Sequence, residues 1–284
     1  MKDNRIFRRL VIGGTLAWIA LFGAIPTFML VGVSFLKRHP SDLIEQTFNF
    51  DSYLRLSDPV IGSMVIKSLG MAATATFLCL LLGYPFAYIV ARAQKRHARR
   101  MLLLVMIPFW TNTLIRTYAL VAVLKADGIL NKILLFLGVI DAPLKLMYTQ
   151  TAVFIGLLYT LLPFMILPLY AAIEKLDQRL LEASRDLGAS RWSTFRKITI
   201  PLTMPGIVSG CMLVFLPALG MFYIPDILGG ARTILLGNYI RDQFLTSRDI
   251  PMGAAASVAL TLVMSLMLFI YYRSLKRSGR KIRI

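Results

Sequence analysis

Two stretches of this chain set polar and aromatic side chains into otherwise apolar surroundings. The first, Ile107 to Tyr118, reads I-P-F-W-T-N-T-L-I-R-T-Y. On a helix Asn112 and Arg116 share one face, and Trp110, Thr113 and Thr117 share another. Pro108 frees a backbone carbonyl just before them and permits a kink. The second stretch is Phe222-Tyr223, followed closely by Asp226. An acid with aromatic faces beside it attracts an organic cation. These residue types offer recognition and passage of a solute, with Trp110, Asn112, Arg116, Phe222, Tyr223 and Asp226 as candidate pathway or gate residues. Plainer roles stay open: hydrogen bonds between helices for Asn112, an outer-interface anchor for Arg116 and a turn for Asp226.

Bond-making chemistry has little to work with. The chain holds only His39 and His97, and its two cysteines, Cys79 and Cys211, lie inside apolar runs as reduced packing residues. No cluster suits zinc or haem. An intramembrane hydrolase needs a Ser/His pair or paired aspartates, and the apolar runs contain neither His nor Asp or Glu. The missing carboxylates also count against an ion-coupled secondary transporter. No G-x-x-x-x-G-K-[ST] occurs, so any nucleotide is hydrolysed by another chain.

The elements that must position these residues are apolar helices. Of 284 residues, 57% are hydrophobic and 16% charged, where ordinary soluble domains carry about 25% charge. The composition predicts an all-α polytopic membrane protein, one integral domain over 1–284, with six spans near 10–36, 62–91, 101–124, 151–172, 202–224 and 253–272. A net charge of +18 raises nucleic acid as a partner, but the charges are placed by topology. The N-terminal segment, the connections 92–100 and 173–201 and the C-terminal tail hold 21 of the 32 basic residues against five acids. The rest of the chain has 11 bases and nine acids. That asymmetry puts both termini in the cytoplasm and leaves no call for nucleic acid. Within the spans, Gly206 and Gly210 have the spacing of a close helix contact, and Pro217 with Gly220 forms a hinge. A short apolar stripe around 128–138 reads as a helix lying at the outer interface.

Glu182 to Pro201, in the 173–201 loop, reads as a helical hairpin. Asp177 caps a first helix, Gly188 supplies the left-handed residue that ends it, Ser190 caps a second, and Pro201 stops it. The apolar faces of two such short helices need a partner or the membrane surface.

Glu182-Ala183-Ser184, three residues, Gly188, nine residues, then Ile198-Thr199-Ile200-Pro201 resembles the EAA signature of ABC importer permeases, E-A-A, three residues, G, nine residues, I-x-L-P. Ser184 for Ala and Ile200 for Leu are the departures. Pro108–Tyr118, Leu81–Tyr88 and Tyr223–Gly230 look like the polyamine (spermidine/putrescine) branch, and the likeness covers nearly the whole chain. The resemblance implies a type I ABC importer permease fold in a bacterial inner membrane. It also implies a second, homologous permease as heterodimer partner, two ATPase subunits that use ATP and Mg, and a periplasmic polyamine-binding protein. This chain would bind no cofactor. Glu182, Ala183, Ser184, Asp186, Gly188, Ile198 and Pro201 would couple it to the ATPase, with Ala183 and Ser184 as a small docking face. A permease for another small solute is the alternative reading.

Overall fold

The computed structural model describes residues 3–39, 45–230 and 234–279. The basic tail residues Arg280, Lys281 and Arg283, and Lys2, lie outside them. In chain order the helices are α1 (Asp3–Ile19), α2 (Ile25–Ser34), α3 (Asp51–Leu56), α4 (Pro59–Arg92), α5 (Lys95–Met106), α6 (Thr113–Leu124), α7 (Ile129–Phe136), α8 (Gln150–Glu174), α9 (Gln178–Asp186), α10 (Arg191–Thr194), α11 (Ile200–Gly220), α12 (Leu236–Leu245) and α13 (Ile250–Gly279). A short antiparallel ribbon, β1 (Leu36–Lys37) with β2 (Glu45–Phe48), follows α2.

Among the described residues five helices are long and apolar enough to cross a bilayer: Val11–Ser34, Pro59–Arg92, Gln150–Glu174, Arg191–Gly220 and Ile250–Arg273. The third apolar run of the sequence is absent from this set because it is broken, not kinked. The chain leaves α5 through a tight turn at Ile107–Trp110, and Thr111 and Asn112 are extended (ψ 151° and 134°) before α6 begins. Pro108 has no amide to continue the helical ladder. Thr111 Oγ1 donates to the Pro108 carbonyl, and Asn112 Oδ1 accepts the Leu114 amide at 2.8 Å as the cap of α6. Local side-chain bonds thus replace the lost helical ones.

Pro201 does not stop a helix, contrary to the sequence expectation. Residues Phe195–Thr199 form a wider π-turn that joins α10 to α11, so Arg191–Gly220 runs on for 30 residues. An extra residue per turn moves the preceding carbonyls away from the proline ring and lets the chain pass Pro201 without a break.

The described residues divide into two compact units. In the first (1–63 and 239–264), Phe35, Phe48, Phe50 and Tyr53 cluster around the ribbon, and the Ser34 and Tyr53 hydroxyls meet at 2.7 Å. Along α1 and α2 large apolar side chains such as Trp18 and Phe28 are exposed, as lipid-facing surface is.

The second unit (64–238 and 265–284) is built on α8 and α11. Leu157, Leu161, Met165 and Leu169 of α8 are fully buried, as is Val214 of α11. The two helices meet where α11 has no side chains: a Cβ at Gly206 would stand 2.4 Å from the Ala172 Cβ and 2.8 Å from the Pro168 carbonyl, and one at Gly210 2.7 Å from the Met165 sulfur. This is the close contact that the Gly206/Gly210 spacing predicts. Gly206→Leu must push backbone apart, and we expect a loss of about 1–3 kcal/mol, read as a lowered melting temperature in detergent. Outside the apolar helices, α7 is held by buried Asn131, which donates to the Lys125 and Leu144 carbonyls and accepts the Leu144 amide.

Candidate solute pathway and coupling loop

The break between α5 and α6 faces the end of α11. Helix α11 stops at Gly220, Met221 is extended, and Phe222 and Tyr223 precede a wide turn at Pro225–Gly229. Residues 110–114 and Phe222–Tyr223 together line an open cavity of about 690 Å³. The two stretches singled out by residue type thus form one wall. Trp110 is 81% exposed and lies along it, the Tyr223 hydroxyl faces the Thr113 side chain, and the Phe222 and Tyr223 rings meet edge to face at 6.1 Å. Buried Asn238 donates from Nδ2 to the Phe222 carbonyl at 2.9 Å, which fixes the segment after α11.

Arg116 is buried rather than exposed as an interface anchor would be. It is 7% exposed, with its guanidinium over the rings of Phe109 (5.4 Å) and Tyr159 (5.9 Å), and Nη2 donates to Thr113 Oγ1 at 3.2 Å. Nε has no hydrogen-bond partner among the described residues. The charge therefore sits one helical turn from cavity-lining Thr113, held by ring faces and one hydroxyl rather than by a carboxylate. Asp226 is exposed in the first turn of Pro225–Gly229 and is not part of the cavity wall. Phe109, Tyr159 and Asn238 escaped sequence reasoning. An aromatic or amide inside an apolar run carries no periodic signal to distinguish it from packing.

The 173–201 loop folds as a capped hairpin. Asp177 accepts the Arg179 amide at 3.0 Å and Ser190 the Ser193 amide at 3.2 Å. Gly188 takes φ +80°, and the Gly188 and Ala189 amides close the end of α9 on the Arg185 and Ser184 carbonyls. Ser184 is turned inward: its hydroxyl meets Thr194 Oγ1 at 2.8 Å and donates to the Leu181 carbonyl. It ties α9 to α10, and of the pair Ala183 and Ser184 only Ala183 is exposed. Glu182, Ala183, Asp186 and Gly188 lie exposed beside Leu187 (89%) and Trp192 (69%), an apolar surface that the described residues do not cover. Ile198 is half-buried and Pro201 exposed. Two routes lead away from the hairpin. Phe195 packs edge-on against Tyr84 of α4 at 5.7 Å, and the Tyr84 hydroxyl meets Thr203 Oγ1 at 3.0 Å. The other is the uninterrupted helix Arg191–Gly220, about 45 Å long, which ends two residues before Phe222.

Residues 83–284 match the family described as binding-protein-dependent transport system inner membrane component. The chain belongs to that family. It is an inner-membrane permease subunit, and because the ATPase activity of such transporters lies in a separate subunit, it is not itself an enzyme. It is 51% identical over 282 residues, 99% of the chain and 98% of the relative, to the spermidine/putrescine transport system permease protein PotB of Salmonella typhimurium strain SL1344. It is 46% identical to PotB of Haemophilus influenzae, over 99% of the chain and 98% of that relative. The fold is that of a chain in a crystal structure of a bacterial alginate ABC transporter in complex with an alginate pentasaccharide-bound periplasmic protein (TM-score 0.78, 16% identity, 97% of this chain and 96% of the other).

Proposed function

We propose that this permease passes polyamines, spermidine and putrescine, into the cytoplasm by alternating access, driven by a separate ATPase. The observation that carries the reading is 51% identity over 99% of the chain to a spermidine/putrescine permease. The cavity is consistent with it: indole and phenol faces suit an alkylammonium chain, and Asn112 adds a polar edge. In this reading α5, the Ile107–Trp110 turn and α6 cross the membrane as one broken span, which gives six crossings. The distribution of basic residues supports cytoplasmic termini. A second permease completes the pathway, two ATPase subunits bind ATP and Mg, and a periplasmic polyamine-binding protein delivers the solute.

Coupling runs through the hairpin. Glu182, Ala183 and Asp186, with exposed Leu187 and Trp192, form the face that docks on the ATPase, and Ser184 and Gly188 hold its shape. Movement of the hairpin is carried along Arg191–Gly220 to Phe222 and Tyr223, while Phe195 engages α4 through Tyr84. Trp110, Asn112, Phe222 and Tyr223 contact the passing solute, and Arg116 sets the potential behind them. Asp226, outside the cavity wall, serves the approach to it.

The test is reconstitution with the second permease, the ATPase and the binding protein in liposomes, followed by uptake of labelled spermidine and putrescine. Uptake that requires ATP and resists an ionophore is expected. Uptake that survives ATP depletion but not the ionophore overturns the ATP-driven reading. ATP-driven uptake of another solute, with none of polyamine, moves the chain to a different branch of the family.

A further inference from the structure

The elbow between α4 and α5 carries a block of charge that neither the pathway nor the coupling loop uses. Residues 92–100 hold Arg92, Lys95, Arg96, Arg99 and Arg100, and no Asp or Glu occurs between Asp58 and Asp127. In the proposed topology the 173–201 connection lies on the same side, and its six bases against four acids add to the excess rather than cancel it. Among the described residues no carboxylate pairs with any of the five bases, and Arg92 lies over the Tyr88 ring at 5.4 Å. The arrangement is unfavourable for α5 by itself. Lys95 with Arg99 and Arg96 with Arg100 are like-charged pairs one turn apart. All four stand at the end of the helix where the backbone dipole is itself positive. Gln94 gives no side-chain cap, and the first turn has no acid. The four bases are exposed, and Ala98 is the one buried residue of α5, so packing among the described residues does little to hold this helix. An external anion offsets both charge penalties at once.

We propose that this elbow binds the headgroup phosphates of anionic phospholipid, and that the bound lipid holds α5 in place. The site needs only the membrane that a permease occupies; its effect on uptake rests on the polyamine reading. Depth favours lipid over a protein partner. Residues 95–100 rise at most about 9 Å, directly before the apolar run 101–106, where Leu103 and Leu104 are exposed. A headgroup layer is about 5–8 Å thick, so the four bases lie at the level of the phosphates. Four or more bases beside an apolar span are what an anionic membrane surface attracts. The hairpin face that docks on the ATPase in the proposed function has a different character, with acids (Glu182, Asp186) beside large apolar side chains (Leu187, Trp192). At the elbow the exposed charges have one sign. Helix α5 leads through the Ile107–Trp110 turn to the cavity-lining residues 110–114, so a headgroup that steadies its basic end steadies that wall.

The experiment places the complete transporter in phosphatidylcholine nanodiscs with a trace of photoreactive phosphatidylglycerol. Peptide mass spectrometry reads the crosslinking yield on residues 92–106 against the yield from a photoreactive phosphatidylcholine. The wild type should favour phosphatidylglycerol, and less so as salt is raised. Arg96→Gln/Arg100→Gln and Lys95→Gln/Arg99→Gln each remove one row of charge and leave the other, so insertion is kept. Each should lower the preference at least about fivefold, the effect of one base at a charged membrane surface. Arg96→Lys/Arg100→Lys should retain it, and Lys145→Gln, on another loop, should not change it. In proteoliposomes, spermidine uptake by the wild type should rise with phosphatidylglycerol, while the two Gln variants respond less. A wild type that does not discriminate between the lipids, or an unchanged preference in both Gln variants, overturns the site. So does loss of the ATPase from these variants with the preference intact, which assigns the bases to that subunit. Wild-type uptake indifferent to phosphatidylglycerol overturns the hold on α5. A complex that keeps the lipid preference but takes up no spermidine in any lipid overturns the polyamine reading instead.

Discussion

Gly188→Val is expected to lower uptake about tenfold while leaving the permease in the membrane. The residue holds φ +80°, and nothing lies within 4 Å of where a Cβ would stand. Steric crowding is therefore not the cause of the expected effect; the backbone is. A left-handed conformation costs an L-residue about 1–2 kcal/mol, and more for a β-branched one. That is enough to shift the hairpin toward other conformers roughly tenfold. The exposed face of Glu182, Ala183, Leu187 and Trp192 then no longer keeps one shape, and a docking surface is sensitive to shape. Asn visits the left-handed region with less strain than other residues, so Gly188→Asn should recover a large part of the transport that Gly188→Val loses. Labelled spermidine uptake in membrane vesicles, with the permease quantified by immunoblot, distinguishes these variants. Wild-type uptake in Gly188→Val would sink the coupling role of the hairpin.

Gly188 was legible because it answers to local rules: a helix end needs a left-handed residue, and the caps at Asp177 and Ser190 are read within three positions of the chain. Gly206 and Gly210 were legible for a similar reason, since a four-residue spacing places both on one face of one helix. The break at Thr111–Asn112 was not. The run 101–124 is apolar throughout, and hydropathy registers only that it can cross. Whether Pro108 yields a kink or a break depends on what satisfies the freed backbone groups, and here Thr111 and Asn112 do so with their own side chains. Pro201 failed as a stop signal because a π-turn, which depends on hydrogen bonding rather than composition, carried the helix past it. Ser184 looked like a small surface residue until Thr194, ten positions on, proved to be its partner. Arg116 required Tyr159 from a different helix before its burial made sense. What the chain hides is the contact between elements that each look ordinary alone.

The cavity supplies the second large effect, because its rings and its nearby charge pull in opposite directions on a cation. Each aromatic face contributes about 0.5–2 kcal/mol to holding an ammonium group, the upper end applying when water is excluded. Trp110→Ala and Tyr223→Ala should each lower uptake by roughly 2- to 30-fold, and the double variant by more than either. Trp110→Phe and Tyr223→Phe, which keep a ring, should retain much of the rate. Arg116→Gln tests the sign. The guanidinium is buried with no carboxylate partner among the described residues, one turn from Thr113 of the wall, so its potential opposes entry of a polycation. Removing it should raise the apparent affinity for spermidine while the ring deletions lower it. Initial rates over a range of loaded binding protein, with assembly of the ATPase checked by co-purification, separate these outcomes. If the residues were only packing, all the substitutions would lower uptake together through loss of assembled complex, and the ring-retaining variants would show no advantage. Opposite signs at Arg116 and at the two rings are what a cation-conducting wall requires.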